Sequence, residues 1–181
     1  MTGSKVETWI KAGYELLGQE GMEGMRIERL ARSLHLNKSG FYYYFGDMSA
    51  FMKGLIKYHV GRAKVIGMEI AMCENLDPDL LLLIVKHKEF FLVEAQLVVK
   101  SRVSHYYEDF DEAGIMISKK LLPLWKKSRN QIEDPAASLA YLNIIRHFVY
   151  ARINPDNINY EFLHELAVET KGVLDKVIVK K

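Results

Sequence analysis

Apolar residues recur every three or four positions along most of the chain, and each stripe closes at a residue suited to ending a helix. Val6, Trp9, Ile10, Gly13, Leu16 and Leu17 form the first stripe, which stops at Glu20-Gly21. Glycine tolerates the left-handed conformation that closes helices, so a helix is predicted over about 4–20. Ile27, Leu30, Ala31 and Leu34 make a second stripe only two turns long. After His35-Leu36-Asn37 a third short helix is predicted at 38–44, with Asn37 as its N-cap. Asp47 is placed to cap a fourth, whose apolar positions (Phe51, Leu55, Tyr58, Val65, Met68, Met72) run to Cys73, long enough to join two modules.

The remaining two thirds continue the pattern. Asp77-Pro78 predicts a helix start with proline in its first turn, where its missing N–H costs nothing. Helices are expected over about 78–91, 93–107 and 109–129, the last kinked at Pro123. Another starts at Glu133-Asp134-Pro135 and reaches about 153; Asn154-Pro155-Asp156-Asn157 is a loop; a last helix covers 159–178.

Composition agrees with an all-α fold. Four prolines and 12 glycines among 181 residues leave long stretches free of helix breakers, and 49% hydrophobic content is enough for a substantial core. Cys73 is the single cysteine, so neither an internal disulfide nor a cysteine-based zinc cluster can form, and a cytoplasmic setting is expected. The N-terminus lacks the order of a signal peptide, and the apolar run Leu80 to Val85 is too short to span a bilayer, so no membrane association is expected. Histidines stand at no HxxxH or HExxH spacing, and GxSxG, Walker and GxGxxG patterns are missing, so no metal, cofactor or enzymatic chemistry is expected. The net charge of +2 is uneven: residues 1–64 carry ten Lys and Arg against six acids. A modestly basic N-terminal third fits a nucleic-acid contact.

Two short helices joined by a tight turn, with another packed behind, form a helix-turn-helix whose second helix can enter the major groove. In Lys38-Ser39-Gly40-Phe41-Tyr42-Tyr43-Tyr44-Phe45, Phe41 and Phe45 lie four apart and can face inward. Three consecutive tyrosines cannot all do so, which leaves Tyr42, Tyr43 and Tyr44 largely outside beside Lys38 and Ser39. Phenolic hydroxyls donate to phosphates, rings pack on thymine methyls, and lysine donates to guanine.

From Val6 to about Leu55 the chain resembles the TetR family of bacterial transcriptional regulators. The shared markers are Ala12 to Leu17, Glu20-Gly21-Met22, Ile27-x-x-Leu30-Ala31, Leu36, and Lys38 through Phe45. The resemblance implies a helix-turn-helix DNA-binding domain at 1–46 and a helical ligand-binding and dimerisation domain at 47–181. It implies a homodimeric, ligand-responsive repressor on a palindromic double-stranded operator. DNA contacts would come from Arg26, Asn37, Lys38, Ser39, Gly40, Tyr42, Tyr43 and Tyr44. Arg26 stands where the family usually has a small hydroxyl cap, His35 where it has a turn glycine, and Met48 where it has a phosphate-binding lysine. These departures imply fewer phosphate contacts and a shallow salt dependence. They also keep open a second reading, a small-molecule- or partner-binding module of the same fold with weak DNA binding.

The last two predicted helices carry more than one apolar face, as Ala140, Ile144, Phe148 and Ala151 beside Leu139, Leu142, Ile145 and Val149 illustrate. That surplus predicts a four-helix dimer interface across a two-fold axis. For a small-molecule effector, Met68, Met72, Phe91, His105, Tyr107, Trp125 and His147 supply apolar, thioether and imidazole groups able to line a pocket.

Overall fold

The computed structural model describes the backbone of residues 2–100, 107–128 and 134–178, and side chains over 5–98, 110–128 and 134–172. Its elements are α1 (Thr2–Glu20), α2 (Ile27–Ser33), α3 (Lys38–Phe45), α4 (Met48–Ile70), α5 (Leu81–Lys86), α6 (Lys88–Lys100), α7 (Tyr107–Ser128), α8 (Pro135–Tyr150) and α9 (Tyr160–Ile178). No strand occurs among the described residues, and none of the helices is long and apolar enough to cross a membrane.

Local chemistry accounts for the boundaries. Gly21 takes φ 73° after α1, and its N–H bonds the Leu17 carbonyl at 2.9 Å. Asn37, Asp47 and Asp134 each accept from backbone N–H groups of the helix they precede. Asp134 satisfies Ala136 and Ala137, both at 3.1 Å, and Pro135 follows it in the first turn, where it displaces no helical hydrogen bond. Asn159 caps α9 through the Phe162 N–H at 2.9 Å.

The middle of the chain departs from the sequence expectation. Asp77 is extended (φ −126°, ψ 122°), and its carboxylate does not cap the next helix. Instead it accepts from Tyr160 Oη at 2.8 Å and meets His164 Nδ1 at 2.5 Å, tying this turn to α9. Asp79 satisfies the free N–H groups of Glu74 and Asn75, each at 2.9 Å. The expected helix over 78–91 breaks at His87 (φ −108°, ψ 29°), whose ring is drawn to Glu69 on α4 at 3.0 Å. Helix α6 therefore begins at Lys88, and Phe90, Phe91, Leu92 and Val93 all become buried.

Two large buried clusters form, beside a small third one of Trp125 and Leu142. The first joins Trp9, Tyr14 and Leu17 of α1, Leu30 and Phe41 of the short helices, and Phe51, Met52 and Leu55 of α4 to Val93, Leu97 and Phe110. The second gathers Ala63, Ile66 and Ile70 of α4 with residues from α5 to α9, among them Phe91, Ile117, Tyr150 and Leu163. Helix α4 thus belongs to both, its N-terminal half to one and its C-terminal half to the other. It lies along α7, while α1 lies along α6, α8 packs on α6 and α7, and α9 packs on α5.

Candidate nucleic-acid interface and apolar cavity

Helix α2 ends in a Schellman motif: His35 N–H bonds the Arg32 carbonyl at 3.1 Å and Leu36 N–H the Ala31 carbonyl at 2.8 Å. The motif puts its next-to-last residue, C′, in the left-handed region, and that residue is His35, with φ 54°. Histidine stands in the left-handed position that glycine would occupy without strain. The chain then turns into α3 through Asn37, whose Oδ1 accepts from Gly40 N at 3.1 Å and from Ser39 Oγ at 2.6 Å.

Aromatic packing sets the angle of α3. Phe41 is fully buried, edge-on to Trp9 with ring centroids 5.7 Å apart and 5.1 Å from the Phe51 ring. Phe45, half-buried, meets Phe51 at 4.9 Å. With these two turned inward, Tyr42 is 52% and Tyr43 76% exposed. Tyr44 departs from the expectation of a largely exposed ring. It is half-buried against the first core and edge-on to Tyr43 at 5.0 Å, because its position lies between the inward and outward faces.

The other candidate residues are exposed or nearly so, but several are engaged within the protein. Arg26 precedes α2 with extended backbone and makes no side-chain cap. Lys38 Nζ pairs with Glu28 at 2.8 Å across α2 and α3, and that contact holds the Glu28 carboxyl below its usual range. Gly40 is half-buried. A methyl built there would meet Asn37 Oδ1 and Trp9 Cζ2 at 3.7 Å each, an ordinary contact, so packing alone does not require glycine. Met48 is half-buried against the first core.

Behind this surface lies a buried polar chain without any sequence signature. Tyr14 Oη of α1 meets His59 Nδ1 of α4 at 2.6 Å, and His59 Nε2 meets Glu94 Oε1 of α6 at 2.9 Å. Glu94 Oε2 accepts from Tyr150 Oη of α8 at 3.5 Å. Exposure is 1% for Tyr14, 0% for His59 and 5% for Tyr150, and the His59 ring stacks on Phe90 at 4.5 Å. Each hydrogen is used when Tyr14 and Tyr150 donate their hydroxyl protons and His59 donates from Nε2. Burial raises both tyrosines well above their ordinary range, keeping these donors protonated. The partners are 45, 35 and 56 residues apart in sequence, beyond any local spacing rule.

Tyr150 also borders a cavity of about 170 Å³ between α4, α5, α6, α7, α8 and α9. Its walls are almost wholly apolar. Phe91 and Trp125, two of the residues expected at a pocket, line it. Met68 and Met72 do not: Met68 is 61% exposed, because the buried stripe of α4 runs through His59, Ala63, Ile66 and Ile70 and leaves it on the opposite face, and Met72 is 74% exposed in the turn that follows α4. His147 is likewise outside, with Nδ1 turned back to the Asn143 carbonyl of its own helix at 2.6 Å. His105 and the Tyr107 side chain lie outside the described residues. Sequence reasoning missed Arg146 and Ser118 as cavity polar groups.

Residues 10–55 match the model of bacterial regulatory proteins of the tetR family. No curated protein sequence matches the chain. A crystal structure of a Rhodococcus sp. protein assigned to the TetR-family transcriptional regulators aligns over 97% of this chain and 99% of its own, with 14% identity and a TM-score of 0.59. A transcriptional regulator of the TerR/AcrR family from Aquifex aeolicus VF5 aligns over 95% and 98%, again with 14% identity and a TM-score of 0.59. At that identity the structural likeness carries the fold, and the matched segment carries the helix-turn-helix. Residues 10–55, from within α1 to within α4, thus carry the helix-turn-helix segment of the tetR-family model, and the all-helical fold around them is shared with both solved regulators.

Proposed function

We propose that the chain is a ligand-responsive repressor that binds a palindromic operator as a homodimer, reading DNA with residues 1–46 and sensing an effector with 47–181. The observation that carries this reading is the membership of α4 in both cores: Phe51, Met52 and Leu55 hold the helix-turn-helix, while Ile70, on the same helix, borders the cavity. A ligand that favours a different tilt of α4 would move the two recognition helices of a dimer away from the roughly 34–36 Å spacing of successive major grooves. The chain from Tyr14 to Tyr150 supports the same coupling, since it joins α1, α4, α6 and α8 through atoms that cannot separate without leaving buried polar groups unpaired.

At the DNA surface, the proposed contacts are Tyr42 and Tyr43 to phosphates or thymine methyls, Lys38, Ser39 and Gly40 to base edges, and Arg26, Asn37 and Tyr44 to the backbone. Exposed Ala136, Ala140 and Ile144 form an apolar stripe on α8 that continues to Ala151 at its C-cap, and Val168 is exposed on α9; they support dimerisation through the last two helices. Selection of bound duplexes from a genomic DNA pool, followed by a salt titration of the winner, tests the reading. An enriched palindrome bound by a dimer supports it. A folded dimer that enriches nothing sinks it.

That outcome would favour the second reading, a binding module with weak DNA affinity. The specific support for it is that Lys38 and Ser39 are held by Glu28 and Asn37, while Met48 packs inward and offers no charge.

A further inference from the structure

We infer that the cavity takes a small amphiphile with an apolar body about one ring in size and an anionic carboxylate head that pairs with Arg146. This rests on the reading of the cavity as the effector site and adds the chemical class of the effector.

Size comes first. An engineered cavity of about 150 Å³ with an apolar lining stays dry and binds benzene. The present one, at about 170 Å³, is walled by side chains such as Phe91, Ile117, Leu142, Val149 and Leu163, so the body it accepts is a single ring or a short branched chain.

Charge comes from Arg146. This residue lines the cavity from α8 and is half-buried. Its Nη1 donates to Ser118 Oγ at 3.1 Å, and the Ser118 hydroxyl in turn donates to the Gly114 carbonyl at 2.9 Å. Its Nε is buried and has no hydrogen-bond partner. No carboxylate forms an ion pair with the guanidinium among the described residues. Glu94 is the acid on the Nη1 side: a Cβ built at Gly114 would lie 2.7 Å from Arg146 Nη1 and 3.0 Å from Glu94 Oε2. That carboxylate is already engaged by His59 and Tyr150.

A half-buried guanidinium whose Nε is buried and unpaired is matched by a carboxylate, whose two oxygens accept in parallel from adjacent N–H groups. The other polar groups at the cavity offer less. Thr170 Oγ1 donates to the Leu166 carbonyl of its own helix at 2.7 Å, and Lys171 sits exposed at the rim, adding positive charge where an anion would enter. A cationic ligand would meet Arg146 and Lys171 as like charges.

Calorimetric titration of the full chain, without DNA, with 4-phenylbutyrate, 4-phenylbutan-1-ol and 4-phenylbutylamine tests this. The acid is expected to bind about ten-fold or more tighter than the alcohol, and the amine more weakly than either. In Arg146→Gln the acid should fall to the level of the alcohol, whose own affinity stays unchanged. Arg146→Lys keeps the charge but loses the paired edge, so it should bind the acid several-fold less well than the wild type; it also serves if the glutamine variant does not melt cooperatively. Equal affinity for acid and alcohol, a preference for the amine, an acid affinity indifferent to both substitutions, or no binding of any probe would each overturn the inference. Because DNA is absent from this readout, failure of the effector reading shows separately, as acid binding that leaves operator affinity unaltered.

Discussion

Tyr14→Phe removes a single hydroxyl from a position 1% exposed and leaves the ring contacts with Tyr58 and His59 in place. No sizeable cavity forms, so the loss is polar. The 2.6 Å hydrogen bond to His59 Nδ1 disappears, at about 1 kcal/mol net, and a ring nitrogen at 0% exposure is left without a donor, at about 1–3 kcal/mol for a buried unsatisfied acceptor. These figures overlap in what they count, and the expected loss is about 2 kcal/mol at pH 7. For a chain of this length that is roughly 4–8 °C in Tm. Urea unfolding at fixed protein concentration reads it directly, with an unchanged m-value showing that the folded and unfolded states keep their compactness.

A second axis follows from pH. Burial raises Tyr14 above its ordinary value of 10.0 in the folded chain. Below about pH 10 both folded and unfolded states hold the phenolic proton, and the hydroxyl contributes in full. Above that, the unfolded state releases its proton first, so stability falls as pH rises toward the folded value. The advantage of the wild type over Tyr14→Phe should therefore shrink above pH 10, while Tyr150, raised in the same direction and present in both proteins, cancels from the difference. A loss under about 0.5 kcal/mol at pH 7, or a difference that does not narrow above pH 10, would refute the argument that this hydroxyl is a buried donor to His59.

Three further outcomes are expected. Tyr43→Ala, at a position 76% exposed, should leave thermal stability unchanged within about 0.5 kcal/mol and weaken operator binding by about ten-fold in an anisotropy titration. Glu28→Gln releases Lys38 from its ion pair, so DNA binding should tighten and the slope of log affinity against log salt should steepen by about one phosphate contact. His35→Gly relieves about 1–2 kcal/mol of left-handed strain at the end of α2 and gives back about 0.4–1 kcal/mol as unfolded-chain entropy, so stability should rise by about 0.5–1 kcal/mol in urea unfolding.

The legible part of the site was local. Phe41 and Phe45 at a four-residue interval, Asn37 ahead of them and three tyrosines between are enough to orient α3, because helix geometry alone decides which side chains share a face. Tyr44 lay at the boundary of that rule, and packing against the first core drew it partly inward. The cavity was not legible in the same way. Met68 and Met72 belong to a chemical type suited to pockets, yet the stripe of α4 that faces α7 excludes Met68, and α4 ends before Met72. Phe91 lines the cavity just after the chain breaks at His87, whose ring meets Glu69, 18 residues earlier.

Helix content, the start and stop of most helices, and the outward face of the recognition helix were determined by the sequence alone, since capping, periodicity and backbone preference act within a few residues. The tie from Asp77 to α9, the break at His87, the buried chain from Tyr14 to Tyr150, and the cavity with Arg146 at its wall were decided only by tertiary structure. Each joins residues from helices distant in sequence, and none exists until burial removes water and forces those groups to find one another.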